Sequence, residues 1–102
     1  MKLHQLRYLA AVAQTGLNIT AAAEKLHTSQ PGVSRQIREL EDELGVKLFA
    51  RSTRGMALTP EGRVFLEHAK VVLTDADRAK EAVRHSASEP QGQVVLGLPT
   101  TV

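Results

Sequence analysis

The chain has 102 residues, a formal net charge of +2, four scattered histidines and no cysteine. The lack of cysteine excludes disulfides, thiolate metal sites and cysteine nucleophiles, and no apolar run approaches the roughly 20 residues of a membrane span. We therefore expect a cytoplasmic protein, with no membrane partner and with neither a metal ion nor a cofactor in this chain.

The first part of the chain predicts two helices. Residues 3–14 carry apolar side chains on two opposite strips of a helix, which indicates packing against two neighbours. Gly16 is suited to end this helix, and Asn18 is a good N-cap for a short second helix over residues 19–26. The predicted start is therefore a pair of helices joined by a tight turn.

A third helix is predicted over residues 30–44, with Ser29 as its N-cap and Gly45 as its stop. Pro31 lies in the first turn, where its missing N–H is not needed. The exposed face is basic in its first half, and acidic in its second half because of Glu39, Glu41, Asp42 and Glu43. The helix macrodipole favours the reverse order, so local stability does not explain it. Docking of the basic half of the helix against a polyanion explains this charge order.

A β-hairpin and a long helix follow. Residues 46–51 and 55–59 predict two short strands joined by a loop over residues 51–55. Thr59 as N-cap and Pro60 at the first helical position predict a helix that runs to about residue 87. At 1.5 Å per residue this helix is about 40 Å long, which is more than the preceding domain can cover.

The apolar stripe on the long helix needs a partner, and the simplest is the same helix of a second copy related by a two-fold axis. We therefore predict a homodimer and include two residues of the first helix in its interface. The predicted interface residues are Tyr8, Val12, Phe65, Ala69, Val72, Leu73, Ala76, Ala79 and Val83.

Two helices followed by a two-stranded hairpin form a winged helix-turn-helix, whose second helix enters the major groove of DNA. Gln30 and Arg35 have the side chains that read adenine and guanine edges. The hydroxyls of Thr28, Ser29 and Ser34 suit phosphate oxygens or base edges, and Arg51 and Arg54 are expected on the hairpin loop, from which a wing reaches the minor groove.

These residues also have structural explanations. Arg35 and Arg38 have the spacing to pair with acidic residues one turn later, which stabilises a solvated helix by about 0.2–0.5 kcal/mol per pair. Ser29 caps its helix in either case, and loop arginines aid solubility. The hairpin behind the helix pair favours DNA binding. Two alternatives are a non-specific architectural DNA-binding protein and a protein-interaction module built on the long helix.

The sequence contains no motif that indicates nucleotide binding or catalysis. No phosphate-binding glycine loop, dinucleotide fingerprint or ordered catalytic triad occurs. We therefore expect that the chain is not an enzyme.

Three segments, in order and spacing, resemble the N-terminal part of a LysR-type transcriptional regulator: LRYLAAVAQTG, ITAAAEKLHTSQPGVSRQIRELEDELGVKLFAR and RGMALTPEGRVFL. The resemblance implies a mainly α fold, with a winged helix-turn-helix over residues 1–58 (helix-turn-helix about 18–44) and a dimerisation helix over residues 59–88. Residues 89–102 would form a hinge and the first strand of an effector-binding domain beyond this sequence, which takes a small-molecule effector.

The resemblance also implies which residues contact double-stranded DNA: Thr20, Gln30, Pro31, Gly32, Ser34, Arg35, Arg38 and Arg54. The expected function is that of a dimeric transcription factor of the bacterial nucleoid that reads an imperfect palindrome. In the full-length protein the dimer would assemble into a tetramer, with RNA polymerase as a candidate further partner.

Overall fold

The computed structural model describes residues 1–53 and 55–88. Its elements are α1 (Leu3–Gln14), α2 (Ile19–Lys25), α3 (Gln30–Leu44), β1 (Phe49–Ser52), β2 (Gly55–Leu58) and α4 (Pro60–Ser88). The predicted mainly α class, with three helices, a two-stranded wing and a long final helix, is confirmed. Arg54 and the predicted hinge and strand over residues 89–102 lie outside the described residues.

Local capping contacts fix the ends of the short helices where the sequence predicts them. The Asn18 side chain accepts a hydrogen bond from the Ala21 N–H at 3.0 Å at the start of α2. At the start of α3 the Ser29 hydroxyl accepts one from the Gly32 N–H at 3.1 Å. Gly45 ends α3 in the left-handed region, at φ 74°, where a residue with a Cβ would be strained.

Two apolar clusters lie on opposite sides of α1, as its two strips predict. The first joins α1 and α3 to α4 and to the segment before β1, through Leu6, Leu9, Leu40, Leu48, Leu66 and Ala69. The second packs α2 against α1 and α3, through Ala11, Val12, Ala22, Ala23, Val33 and Ile37. Phe49, the first residue of β1, packs against both clusters, so the wing begins at the junction of the core.

The hairpin is shorter than predicted. β1 and β2 pair antiparallel, with Phe49 opposite Leu58 and Ser52 opposite Gly55, so that only residues 53–54 lie between the strands. Arg51 therefore lies within β1, opposite Met56, and its assignment to the loop was wrong. The first strand starts late because Leu48 is fully buried in the core and the backbone around it bonds to the flanking helices.

The start of α4 is fixed against the residues that precede the wing. Thr59 is its N-cap, because the Gly62 N–H donates to the Thr59 hydroxyl at 2.9 Å. Gly62 is buried against the backbone of Leu48, and a Cβ at this position would collide with the Leu48 carbonyl oxygen. At 29 residues α4 is about 44 Å long, and its later turns extend beyond the core.

The predicted dimer residues divide by their exposure. Val12 and Ala69 are 0% and 1% exposed within one protomer, so neither has surface to offer a second copy, and their assignment to the dimer interface is corrected. The strip of α1 that carries Val12 faces α2 and α3 instead. Four residues are half-buried, namely Tyr8, Phe65, Leu73 and Ala76, and three are exposed, namely Val72, Ala79 and Val83.

Candidate nucleic-acid interface

The site is built on the outer face of α3. Val33, Ile37 and Leu40 hold the helix in the core, and their spacing leaves the opposite face of its first half in solvent. Gln30, Pro31, Arg35 and Arg38 are exposed there, and Ser34 is half-buried beside them. Side chains of the types that suit base edges and phosphates thus share one face of the helix.

The two arginines on this face of α3 are not paired with the acidic residues of the helix. Among the described residues neither Arg35 nor Arg38 forms an ion pair, so the pairs with Glu39 and Asp42 that the spacing permits are not made. A guanidinium group in solvent has five donors in a planar fork, which matches a guanine edge or a phosphate. Both arginines are therefore free to bind an anion or a base.

The first turn of α3 is compact. A Cβ on Gly32 would lie 3.0 Å from the Ser29 hydroxyl oxygen and 3.4 Å from that of Thr28. Thr28, Ser29 and Gly32 thus form one small patch at the helix start. Pro31 has no N–H and the Gly32 N–H is used by Ser29, so the first turn offers a phosphate the Gln30 N–H and the nearby hydroxyls. Pro31 stands exposed beside this patch.

Two adjoining grooves extend the site from α3 to the wing. One, of about 420 Å³, lies between α3 and β1, and its polar lining includes Ser34, Arg38 and Arg51. The other, of about 430 Å³, is lined in part by Thr20, Gln30 and Arg51. Because Arg51 lines both grooves, the structure brings these five residues of α2, α3 and β1 onto one continuous surface.

Two residues of this region were not predicted correctly from the sequence. Lys47 lines the groove between α3 and β1 and adds a third cation to it, although it was not among the predicted contacts. Glu41 was assigned to the exposed acidic end of α3, but it is only 7% exposed, and its Oε2 accepts hydrogen bonds from the backbone N–H groups of Leu48 and Phe49. The signal for its burial is its spacing, four residues after the core residue Ile37.

Arg54, the other predicted wing contact, lies outside the described residues, so its role stays a prediction. Within residues 1–53 and 55–88, no group of three or more His, Cys, Asp or Glu side chains is placed to hold a metal ion. In the same part of the chain no helix combines the length and the apolar character that a membrane crossing requires.

Residues 3–63 match the family described as "Bacterial regulatory helix-turn-helix protein, lysR family". The chain belongs to the LysR family. It is 50% identical over 97 residues to the Hca operon transcriptional activator HcaR of Escherichia coli (strain K12), an alignment that covers 95% of this chain and 32% of HcaR. It is also 52% identical over 88 residues to the HTH-type transcriptional regulator TfdS of Cupriavidus pinatubonensis, with 82% of this chain and 30% of TfdS covered.

This LysR-family chain thus spans about a third of the length of these curated relatives. Its structure is similar to LysR-type DNA-binding domains solved with DNA. The CbnR domain–DNA complex matches at a TM-score of 0.77 and 47% identity, over 85% of this chain and 99% of that one. The BenM domain on catB site 1 DNA matches at a TM-score of 0.82 and 40% identity, over 87% of this chain and 99% of that one. The resemblance inferred from the sequence is confirmed.

Proposed function

We propose that this LysR-family chain is the DNA-binding and dimerisation part of a transcriptional regulator that reads a specific operator. The observation that carries the proposal is the outer face of α3, where Gln30, Ser34 and Arg35 are presented together and the arginines have no ion pair among the described residues. A helix with this face fits the major groove by its first half.

The polar residues divide between affinity and sequence preference. Arg38 and Lys47, which line the α3–β1 groove, suit phosphates, which supply affinity that falls steeply with salt. Gln30 and Arg35 suit base edges, which supply the sequence preference. For the wing we propose that Arg51, together with Arg54, approaches the minor groove.

For assembly we propose a homodimer through α4. Its residues 72, 79 and 83 are exposed apolar side chains on the stripe that continues past the core. Two such helices packed two-fold would hold two copies of α3 apart, and a dimer of this kind reads two half-sites of an imperfect palindrome. Tetramer formation and contact with RNA polymerase are proposals for the whole protein.

Two further parts of the proposal concern the whole protein and not this chain alone. Because the chain spans about a third of its relatives, we place a small-molecule effector site in sequence outside it. We propose no catalytic activity for the chain, and we place the regulator in the bacterial cytoplasm, on the nucleoid.

Selection of bound fragments from a genomic library with the chain, followed by titration of a selected site and its scrambled version, tests the DNA-binding proposal. We expect two half-sites whose centres are about 10 bp or a multiple apart. Binding to the selected site should be at least about a thousandfold tighter than to the scrambled site and should weaken as salt rises. Equal affinity for both would indicate an architectural protein, and no salt-dependent binding would contradict DNA binding.

The dimer is tested by Val72→Glu, which places a charge on the exposed apolar stripe at a residue that is 44% exposed in one protomer. We expect monomers in analytical ultracentrifugation, because a buried unpaired carboxylate opposes association. Thr74→Glu is the matched control, since it adds the same charge at an exposed position on another side of α4 and should leave the dimer intact. An unchanged dimer for Val72→Glu would remove this stripe from the interface.

A further inference from the structure

Glu41 is a buried carboxylate at the edge of the DNA-binding surface, and the contacts proposed for DNA do not use it. Its side chain is 8% exposed, and it lies near the C-terminal end of α3. A carboxylate withdrawn from water is costly unless hydrogen bonds replace the lost hydration. Here Oε2 accepts from the Leu48 N–H at 2.7 Å and from the Phe49 N–H at 3.2 Å.

The two N–H groups belong to the base of the wing. Phe49 is the first residue of β1, and Arg51 follows it by two residues, so both side chains lie on the same face of the strand. Leu48 is fully buried in the first apolar cluster. A displacement of the backbone at these residues would therefore move Arg51 with it.

The same segment is held on its other side by the start of α4. The Thr59 N–H donates to the Leu48 carbonyl oxygen at 3.0 Å, and the Thr59 hydroxyl donates to the carbonyl oxygen of Lys47. Thr59 fixes the segment relative to α4, whereas Glu41 fixes it relative to α3. Of these two attachments, the one from Glu41 sets how the wing stands against the recognition helix.

Glu41 is also on the edge of α3 that faces the wing. Ser34, Arg38 and Glu41 follow one another at helical spacing, and all three line the groove of about 420 Å³ that Arg51 closes from the other side. Lys47, which is 74% exposed, has its Nζ 4.0 Å from Oε1 of Glu41, a distance that leaves the lysine free to reach a phosphate. The carboxylate therefore joins the two walls of one groove at its inner end.

We propose that Glu41 is a positioning residue for DNA recognition: by bonding the base of β1 to α3, it holds Arg51 where it contacts DNA at the same time as the outer face of α3. This inference rests on the proposed function, because it presupposes that both surfaces meet one duplex. Glu41 does not touch DNA itself.

The test is Glu41→Met, which keeps the length of the side chain but removes the oxygen that accepts from both backbone N–H groups. By charge alone, removal of a carboxylate beside a polyanion strengthens binding. Positioning predicts the opposite, namely specific binding weaker by about tenfold. The matched control is Glu39→Gln, which removes the same charge from an exposed position of α3 and should bind as tightly as the wild-type chain or more tightly.

A double-mutant cycle with Arg51→Ala separates positioning from general stabilisation of the fold. If Glu41 acts through the wing, Glu41→Met should cost little further affinity in the Arg51→Ala background. If the losses of affinity caused by the two single substitutions multiply in the double variant, Glu41 acts on the whole domain, and the inference is overturned. Equal or tighter binding of Glu41→Met alone would also overturn it.

The wild-type chain and Glu39→Gln must both bind the selected site more tightly than scrambled DNA. If they do not, the proposed function fails, and that result is distinct from a failure of the inference about Glu41. Binding is compared only for variants whose circular dichroism shows the wild-type helix content. If Glu41→Met does not fold, Glu41→Asp takes its place in the cycle. It keeps the charge and a carboxylate oxygen that can accept from the two N–H groups but is one methylene shorter, so it should draw the wing toward α3 and show the same loss through Arg51.

Discussion

The two halves of α3 use their polar side chains for different purposes. On the outer face of residues 30–38, the side chains of Gln30, Arg35 and Arg38 are exposed, and the arginines form no ion pair among the described residues. In residues 39–44, Glu41 holds the base of the wing, and Glu43 pairs with the N-terminal amino group of Met1 at 2.7 Å. One helix thus presents the proposed binding surface at its start and joins the parts of the domain at its end.

This division explains a charge order that opposes the helix macrodipole. Basic residues near the start and acidic residues near the end each lose favourable interaction with the helix ends. The carboxylates at the end gain other partners, namely two backbone N–H groups for Glu41 and an ammonium group for Glu43. Substitutions of the exposed polar residues in the first half should therefore change recognition directly with little effect on stability, whereas substitutions in the second half should act on the packing of the domain and reach DNA only through it.

The largest effect is expected from Leu40→Ala, in the second half. Leu40 is completely buried between α1, α4 and the segment before β1, so its truncation should lower the free energy of unfolding by about 2–5 kcal/mol. The free energy of unfolding is measured by urea denaturation monitored by circular dichroism. The neighbouring exposed Asp42→Ala should stay within about 0.5 kcal/mol of the wild-type chain. A loss below about 1 kcal/mol for Leu40→Ala would show that this half is not anchored as described.

Arg35→Ala tests the first half. We expect a loss of discrimination at one or two base positions, worth about 1–3 kcal/mol each, with an unchanged unfolding midpoint. Competition binding of the selected site against single-base variants measures it. Arg84→Ala, in the exposed last turns of α4, is the control for loss of a cation and should keep the wild-type preference. If Arg35→Ala binds specific and scrambled DNA in the wild-type ratio, Arg35 does not read bases.

The features predicted correctly from the sequence are those set by neighbours along the chain. Both ends of α3 follow from Ser29 and Gly45, and the start of α2 follows from Asn18, because a cap needs only the next few residues. Arg51 and Glu41 were misplaced because their positions depend on contacts between elements. Burial of Leu48 delays the strand, and the backbone N–H groups that this burial leaves without water need the carboxylate of Glu41.

Ser29→Ala should give a smaller effect, because Ser29 belongs to the start of α3 but has a structural task as its N-cap. Loss of the hydrogen bond from the Gly32 N–H should cost about 0.5–2 kcal/mol of stability. Ser29→Asp keeps a good cap and adds a negative charge where DNA is proposed to approach. Thermal unfolding and DNA titration should therefore show wild-type stability for the aspartate variant with weaker binding. Unweakened binding would place the first turn of α3 away from the phosphates.

The smallest effect is expected from Glu43→Gln, which breaks the ion pair with the N-terminal amino group. The two partners are 41% and 50% exposed, so the pair should contribute only about 0.2–1 kcal/mol to stability. In about 1 M salt the difference from the wild-type chain should disappear, because the Debye length falls to about 3 Å. Paired urea titrations at low and high salt measure this change. The preference for particular bases should stay unchanged, because Glu43 lies in the second half of α3, which joins the parts of the domain. A shift in the selected sequence would mean that the second half also takes part in readout, and the division between the two halves would not hold.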